Sequence, residues 1–93
     1  MPIEETDALL VIDVQNTFCP GGTLPVADGD AVVAPINALL PLFSGRAYAS
    51  QDWHPADHCS FTTRGGIWPV HAVQNTADAD IHPLLNRGAI SHV

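Results

Sequence analysis

The feature that most constrains the fold is a continuous apolar run near the start of the chain, residues 8–14 (ALLVIDV), in which Asp13 is the one charged residue. Apolar and polar residues do not alternate along this run, and several of its residues are β-branched. Such a run predicts a strand that is buried on both faces, as strands of parallel sheets are. It is far too short to cross a bilayer, which needs about 20 apolar residues.

A second periodic segment follows a loop that is rich in glycine and proline. Apolar residues recur at helical spacing over residues 32–43. This spacing predicts a helix that begins at Asp28 or Asp30, because an aspartate at a helix start can accept hydrogen bonds from free backbone amides. Pro35 and Pro41 each remove a backbone hydrogen bond, so we expect the helix to be short or kinked.

The remaining segments predict the fold class. Residues 46–51 form a short segment that is apolar at Ala47, Tyr48 and Ala49, which indicates a second strand. A strand, a helix and a strand in this order predict a βαβ unit, and therefore an α/β fold with a parallel sheet flanked by helices. Residues 52–76 are rich in His, Gly and Pro and predict a loop. We expect a helical turn at 80–86 and the beginning of a third strand at 89–93.

Composition limits both the size and the partners of the protein. The 93 residues form one domain at most, and they are 46% apolar but only 14% charged. A small domain has a large surface for its volume. This apolar content therefore suggests that something outside these residues covers part of the apolar surface. A net charge of −7 would repel nucleic acid and anionic membranes, and we expect neither as a partner. Without a secretion signal, Cys19 and Cys59 are expected to be reduced thiols in the cytoplasm.

Asp13 is the first candidate functional residue, because it lies at the carboxyl end of the first predicted strand. In open α/β sheets, ligands bind at that end of the strands. A buried carboxylate must be paired, be protonated or lie at the mouth of the strand, since its desolvation is unfavourable. Asp13 could be a general base beside a substrate, or a carboxylate that accepts hydrogen bonds from loop amides. Its position alone leaves both interpretations open.

The stretch SQDWHPADHCSF, residues 50–61, concentrates side chains that bind metals or move protons: Asp52, His54, Asp57, His58 and Cys59. Asp52 and His54 follow the second predicted strand and, two residues apart in extended chain, project to the same face. Together with His71, they would suit Zn²⁺, Mn²⁺ or Fe²⁺. A hydrogen-bonded polar loop is the alternative. We expect Asp57 to form a turn and Cys59 to be a packed thiol.

Three of the aromatic residues in the predicted loops carry an expectation. Phe18 and Trp68 either fill the core or form a flat apolar slot for an aromatic ligand. Trp53, between two candidate metal ligands, is expected to point the opposite way and pack against the fold.

Four segments taken together resemble a known family: LLVIDVQNTFCPGGTLPV, ASQDWHPADHCSF, WPVHAVQNT and IHPLL. Their order and approximate spacing resemble the nicotinamidases, which belong to the isochorismatase-like cysteine hydrolase superfamily. The resemblance covers nearly the whole chain, from Ala8 to Leu85. The DWHP and WPxH segments favour a nicotinamidase, because they carry metal ligands that isochorismatases proper lack.

The resemblance implies a reaction and a fold. Nicotinamidases convert nicotinamide and water to nicotinate and ammonia in NAD salvage, and they usually accept pyrazinamide. The implied fold is α/β, a Rossmann-type three-layer structure with a parallel sheet between helices. Here it is expected to be truncated to its N-terminal half, so that residues 1–93 form one portion of a single hydrolase domain.

The resemblance also assigns roles to individual residues. Asp13 matches the catalytic aspartate that takes the proton of the nucleophile. The implied ligands of one divalent metal ion (Zn, Mn or Fe) are Asp52, His54 and His71, with His58 as an additional candidate. Phe18 and Trp68 match aromatic residues that sandwich the pyridine ring.

Two catalytic residues of the family have no counterpart here. The chain contains no lysine, and Cys19 and Cys59 match positions that are not nucleophilic. Loss of a covalent nucleophile can lower turnover about 10⁶-fold, so we expect residues 1–93 to be inactive alone. They would bind a complementary C-terminal half or form a homo-oligomer. The alternatives are a non-catalytic metal-binding remnant or interaction module, and an isochorismatase-like hydrolase with another substrate and no metal.

Overall fold

The computed structural model describes residues 2–93, and its central feature is a pair of parallel strands. Strand β1 (Leu9–Ile12) pairs with strand β2 (Ala47–Ser50) so that Leu9 lies opposite Ala47 and Ile12 opposite Ser50. This pairing confirms the α/β class. β1 ends at Ile12, and the φ of 53° at the next residue, Asp13, lies in the left-handed region and turns the chain out of the strand.

The chain crosses from β1 to β2 through three consecutive helical segments: a 3₁₀ turn (Gly29–Val32), helix α1 (Val33–Leu39) and a second 3₁₀ turn (Leu40–Phe43). Pro35 lies in the first turn of α1, where its missing N–H is tolerated, and Pro41 lies in the last turn. The expected short, irregular helix is therefore confirmed. Asp28 occupies the N-cap position of the first turn, as expected, although its side chain makes no capping hydrogen bond.

Buried apolar residues form two clusters that share the flanking residues Leu9, Ile36 and Ile90. The first cluster joins β1 to α1 and to the C-terminal loops, and it contains Val11, Val14, Val33, Ile81 and Leu85. The second joins the last helical turn to β2, and it contains Leu40, Phe43 and Ala47. Both clusters lie on the side of the sheet that α1 covers.

The other face of β1 is open. Side chains alternate along a strand, so Leu9 and Val11 face the helix while Leu10 and Ile12 face away from it. Leu10 is 65% exposed and Ile12 is 63% exposed. The prediction that this strand is buried on both faces is therefore wrong within residues 2–93, because nothing in that part of the chain covers the second face.

The C-terminal segments are less regular than the sequence suggests. Residues 80–86 form turns rather than the expected helical turn, because Ile81 is extended and pairs with Gln15 in an isolated antiparallel bridge. The expected third strand appears as a single parallel bridge between His92 and Tyr48 at the outer edge of β2. Three short 3₁₀ turns lie in the loops: Asn16–Phe18, Thr62–Arg64 and Arg87–Ala89. Within residues 2–93, no helix has the length and apolar character needed to cross a membrane.

We predict that Leu40→Ala destabilises the fold by about 2–5 kcal/mol, because it leaves a cavity where a side chain only 1% exposed now packs. Leu42→Ala is the matched control, since Leu42 belongs to the same turn but is 55% exposed. Urea unfolding followed by circular dichroism measures both. Equal losses of stability in the two variants would contradict the assignment of the second cluster as core.

Candidate functional site

Three of the candidate ligands come together in the structure. Asp52, His54 and His71 each offer one ligand atom, and these atoms lie within 4.8 Å of one another. The Oδ2 atom of Asp52 is 3.6 Å from Nε2 of His54 and 3.8 Å from Nε2 of His71. Two imidazoles and one carboxylate converging in this way can hold a borderline divalent cation and leave further positions open. We call these residues the triad.

Backbone pairing between two loops brings the histidines of the triad together. The backbone N–H of His54 donates to the carbonyl of Ala72 at 2.9 Å, and the carbonyl of His54 accepts from Gln74 at 2.8 Å. These bonds form an isolated parallel bridge between His54 and Val73. Residue 54 is thereby held beside the segment that carries His71, although neither segment belongs to a regular strand.

His71 is held in the orientation that a metal ligand needs. Its ring is buried, and its Nδ1 lies 2.7 Å from the carbonyl oxygen of Pro69. A carbonyl only accepts hydrogen bonds, so Nδ1 carries the proton and donates it. The lone pair of Nε2 is then directed towards Asp52. Fixing the outer nitrogen of a histidine by a hydrogen bond is the usual way in which proteins orient an imidazole ligand.

His58 lies beside the triad but is not aligned as a ligand. Its ring stacks on that of His54 with the ring centroids 4.3 Å apart. The backbone N–H of Ser60 donates to Nδ1 of His58 at 3.2 Å, and the hydroxyl of Ser60 lies 2.7 Å from the same nitrogen. A neutral ring that accepts at Nδ1 carries its proton on Nε2, and a protonated nitrogen cannot bind a metal. This arrangement favours three ligands over four.

A cavity of about 380 Å³ opens over the triad. The residues that line it are Phe18, Leu24, Asp52, His54, His58, Ser60, Trp68 and His71. Phe18 and Trp68 therefore border the same space as the candidate ligands, and Trp68 remains 48% exposed rather than filling the core. A mostly apolar pocket of this size with a few converging polar groups is typical of a small-molecule site.

Asp13 lies at the carboxyl end of β1, outside the residues that line that cavity. Its carboxylate accepts a hydrogen bond from the hydroxyl of Ser50 at 2.6 Å. Asp13 instead lines a neighbouring cavity of about 210 Å³, and Phe18 borders both cavities.

Neither cysteine has the environment of an activated nucleophile. The thiol of Cys19 is buried and donates a hydrogen bond to the carbonyl of Gln15 at 3.2 Å. Burial, with a smaller contribution from the negative charge of Asp30, raises the pKa of the Cys19 thiol and so favours its protonated form. Cys59 is exposed, so the expectation that it packs in the fold is wrong. Trp53 is also 43% exposed rather than packed.

Gln15 is a residue of the site that the sequence analysis did not single out. Its fully buried side-chain amide accepts a hydrogen bond from the backbone N–H of Asp52 at 2.9 Å. The same amide donates to the carbonyls of Asp52 at 2.9 Å and of Ala79 at 2.8 Å. Both backbone groups of a candidate ligand are thus fixed by one side chain. The signal in the sequence was a glutamine two residues after Asp13, directly following the apolar strand.

Asp78 is a second residue that the sequence analysis missed. Its carboxylate accepts hydrogen bonds from Thr17, from Thr23 and from the backbone N–H of Ala72, which follows His71. Burial acts to raise the pKa of the Asp78 carboxyl, but these hydrogen bonds outweigh it, so the pKa lies below its usual value. One carboxylate therefore connects the loop that contains Phe18 to the loop that contains His71 through hydrogen bonds.

Comparisons with known proteins can now be set beside this geometry. No family model matches the chain. The nicotinamidase of Escherichia coli K12 is 42% identical over an alignment of 104 positions that covers 92% of this chain and 49% of that protein. The nicotinamidase/pyrazinamidase of Mycobacterium tuberculosis is 41% identical over an alignment of 91 positions that covers 92% of this chain and 49% of that protein. The chain is similar to these nicotinamidases over 92% of its own length. It spans about half the length of the curated relatives that it matches.

Solved structures of nicotinamidases have the same fold. PnC1 from L. infantum, crystallised in complex with nicotinate, matches all of this chain and 48% of its own with a TM-score of 0.93 and 42% identity. A pyrazinamidase of Pyrococcus horikoshii in complex with zinc matches 89% of this chain and 48% of its own, with a TM-score of 0.78 and 43% identity. The expected isochorismatase-like α/β fold is confirmed by these similarities.

We predict that Gln15→Leu lowers stability by about 2–4 kcal/mol, because it leaves the N–H and the carbonyl of Asp52 without their hydrogen-bond partner in a partly buried environment. Gln74→Leu is the control, since that side chain makes one exposed hydrogen bond, to the carbonyl of Trp53. Urea unfolding measures both variants. If Gln15→Leu costs no more than Gln74→Leu, the buried amide does not hold the site.

We predict that Asp78→Asn destabilises the fold by about 1–3 kcal/mol at pH 7, because an amide nitrogen cannot accept the hydrogen bonds that reach the carboxylate. The folded pKa of Asp78 lies below its unfolded value, so its stabilisation is complete above the unfolded pKa and is lost as the pH falls through the folded pKa. The difference between the wild type and the variant should therefore shrink in acid. Asp57→Asn, at an exposed position, should show neither effect in thermal melts from pH 7 to pH 2.

Proposed function

We propose that this chain forms the metal-binding and ring-binding portion of a nicotinamidase-like amidohydrolase. In the overall reaction, water adds its hydroxyl to the acyl carbon of nicotinamide, the C–N bond breaks, and nicotinate and ammonia are released. Residues 1–93 would form one portion of a single hydrolase domain. We place this activity in the cytoplasm, since a reducing compartment keeps thiols such as Cys19 and Cys59 free.

The observation that carries the proposal is the convergence of the triad on a cavity bordered by Phe18 and Trp68. A pyridine carboxamide is a flat apolar ring with one basic nitrogen and one polar substituent. Two aromatic side chains can contact the faces of such a ring, and a metal site beside them can take up its nitrogen. The relatives named above are nicotinamidases and pyrazinamidases, and one of their structures contains nicotinate.

We propose Asp52, His54 and His71 as the ligands of one divalent cation. Their donor set fits zinc, manganese or iron(II), and the solved pyrazinamidase of P. horikoshii is a complex with zinc. A bound ion would supply a Lewis acid for the ring nitrogen or for water. The residues of the chain orient the ligands: Pro69 fixes the ring of His71, and Gln15 fixes the backbone of Asp52.

We propose Asp13 as the general base for a nucleophile that residues 1–93 do not contain. Its carboxylate lies at the carboxyl end of β1 and is oriented by the hydroxyl of Ser50. The cavity beside it is lined largely by apolar side chains. Asp13 would take the proton of the incoming nucleophile.

A non-catalytic metal-binding module is the second candidate function. It is favoured by the absence of lysine from the sequence and by the protonated, buried state of the Cys19 thiol. Both candidates require a metal on the triad, and they differ in turnover. Purified residues 1–93 should release no ammonia from nicotinamide under either one. If ammonia is released once the chain is joined to the remainder of a relative's fold, the result would support the hydrolase and exclude the non-catalytic metal-binding module.

The metal site is tested by loading the protein with Zn²⁺ or Mn²⁺ and measuring the bound metal by mass spectrometry. We expect one ion per chain in the wild type and in His58→Ala. His54→Ala and His71→Ala should lower the affinity for the metal at least tenfold, because each removes one imidazole ligand and water replaces it only weakly. His92→Ala is a further control, outside the triad. Unchanged metal content in His54→Ala and His71→Ala would favour a metal-free isochorismatase-like hydrolase.

A further inference from the structure

Asp78 is hydrogen-bonded to residues that adjoin three walls of the cavity over the triad. Phe18, Leu24 and His71 line that cavity. Each of them has a direct sequence neighbour whose hydroxyl or backbone N–H donates to the carboxylate of Asp78, and these neighbours are Thr17, Thr23 and Ala72. Because adjacent residues share one planar peptide bond, a restraint on one limits the positions of the other. One carboxylate therefore restrains three walls of the cavity.

The two oxygens of Asp78 divide these contacts. Oδ1 accepts from the backbone N–H of Thr23 at 3.0 Å. Oδ2 accepts from the hydroxyl of Thr23 at 2.7 Å and from the N–H of Ala72 at 3.0 Å. The hydroxyl of Thr17 lies 3.0 Å from Oδ2 and 2.8 Å from the carbonyl oxygen of Asp78, between which it shares its proton. A carboxylate has about four acceptor positions, and an amide would keep only one accepting oxygen.

The bond to Ala72 acts where the backbone is strained. Ala72 has a φ of 47°, in the left-handed region that is unfavourable for residues other than glycine. Such a conformation persists where the surrounding structure fixes it. The N–H of Ala72 is bound by Asp78, and its carbonyl accepts from the N–H of His54 at 2.9 Å. The peptide that joins His71 to Ala72 is thus held in place, and this fixes the direction in which the imidazole of His71 enters the cavity.

The loop of residues 17–24 is closely packed on the other side of the carboxylate. The N–H of Leu24 donates to the carbonyl of Thr17 at 3.1 Å. A Cβ atom at Gly22 would lie 2.2 Å from the same carbonyl oxygen, so the loop can close only with glycine at this position. This approach brings Thr23 beside Thr17, and both hydroxyls reach one carboxylate oxygen.

Asp78 lies outside the cavity whose walls it restrains. It is not among the residues that line the cavity over the triad, and it borders a separate cavity of about 480 Å³ instead. Its carboxylate therefore acts on the site through the residues that donate to it. It can position a metal ligand and an apolar wall without contacting a bound metal or ring.

We propose that Asp78 is a positioning residue that sets the geometry of the metal site and of the apolar wall together. It holds His71 through Ala72, and it holds Phe18 and Leu24 through the two threonines. The inference rests on the proposed function, because it concerns the same cavity. A metal ion and an aromatic amide should both bind less tightly when Asp78 loses one accepting oxygen, although neither of them touches it.

The first experiment measures the Zn²⁺ affinity of the 93-residue chain by competition with a chelator. Asp78→Asn should lower this affinity about tenfold, as loss of a residue that orients a metal ligand commonly does. Asp80→Asn is the matched control, because it removes the same charge two positions away from an exposed side chain. It should stay within about twofold of the wild type. The absorption spectrum of the Co²⁺-loaded protein, which depends on ligand geometry, should change in Asp78→Asn and not in Asp80→Asn.

The second experiment separates the two sides of Asp78 by calorimetry on the Zn²⁺-loaded chain. Thr17→Val and Thr23→Val each remove one hydroxyl beside an apolar wall residue and leave the bond to Ala72 intact. Each should weaken the binding of nicotinamide and of benzamide, which lacks the ring nitrogen, by a similar factor of about three to ten. Their Zn²⁺ affinity should change less than about twofold. Asp78→Asn should weaken the binding of all three ligands.

Leu40→Ala shows what loss of stability does by itself, because its cavity lies in the second apolar cluster. At a temperature at which circular dichroism shows it to be folded, it should bind Zn²⁺ and both amides as the wild type does. If Asp78→Asn does not fold, the two threonine variants decide by the pattern given above. An equal loss of Zn²⁺ affinity in Leu40→Ala, unchanged ligand binding in folded Asp78→Asn, or unchanged amide binding in both threonine variants would overturn this inference alone. A wild type that binds neither Zn²⁺ nor an amide would overturn the proposed function and this inference with it.

Discussion

Parallel pairing of β1 with β2 brings the carboxyl ends of both strands to one edge of the sheet. Asp13 follows the first strand and Asp52 and His54 follow the second, so one register places a carboxylate and two candidate metal ligands in neighbouring loops. The side chain of Ser50 joins the two strand ends directly through its hydrogen bond to Asp13. A shift of this register by one residue would reverse the faces of β1 and remove both the core contacts and this bond.

Beyond the sheet, polar contacts rather than regular secondary structure hold the site. The loops that carry the triad contain isolated bridges and short turns. Gln15 and Asp78 substitute for a regular hydrogen-bonded framework by fixing the backbone amides of three residues, Asp52, Ala72 and Thr23. Because unsatisfied buried polar groups are costly, the site is specified by these two side chains as well as by the triad.

One face of the sheet is open within residues 2–93. Leu10, Ile12 and Tyr48 remain in contact with water although they belong to the sheet, whereas strands of parallel sheets are usually covered on both faces. Ile12 lines the same cavity as Asp13, so the open face of β1 reaches the carboxyl end of the strand, where the candidate general base lies.

The sequence by itself determined the α/β class, both strands, the irregular helix and the three residues of the triad, because apolar periodicity, proline positions and local motifs encode these features within a few residues. It also carried the family resemblance. Only the tertiary structure decided that His58 stacks beside His54 with its Nδ1 occupied, that Cys59 and Trp53 are exposed, and that one face of β1 is open. The positioning roles of Gln15 and Asp78 were likewise invisible, since their hydrogen bonds join residues that are 6 to 64 positions apart. Such contacts depend on which loops meet in space, and local sequence patterns do not encode that.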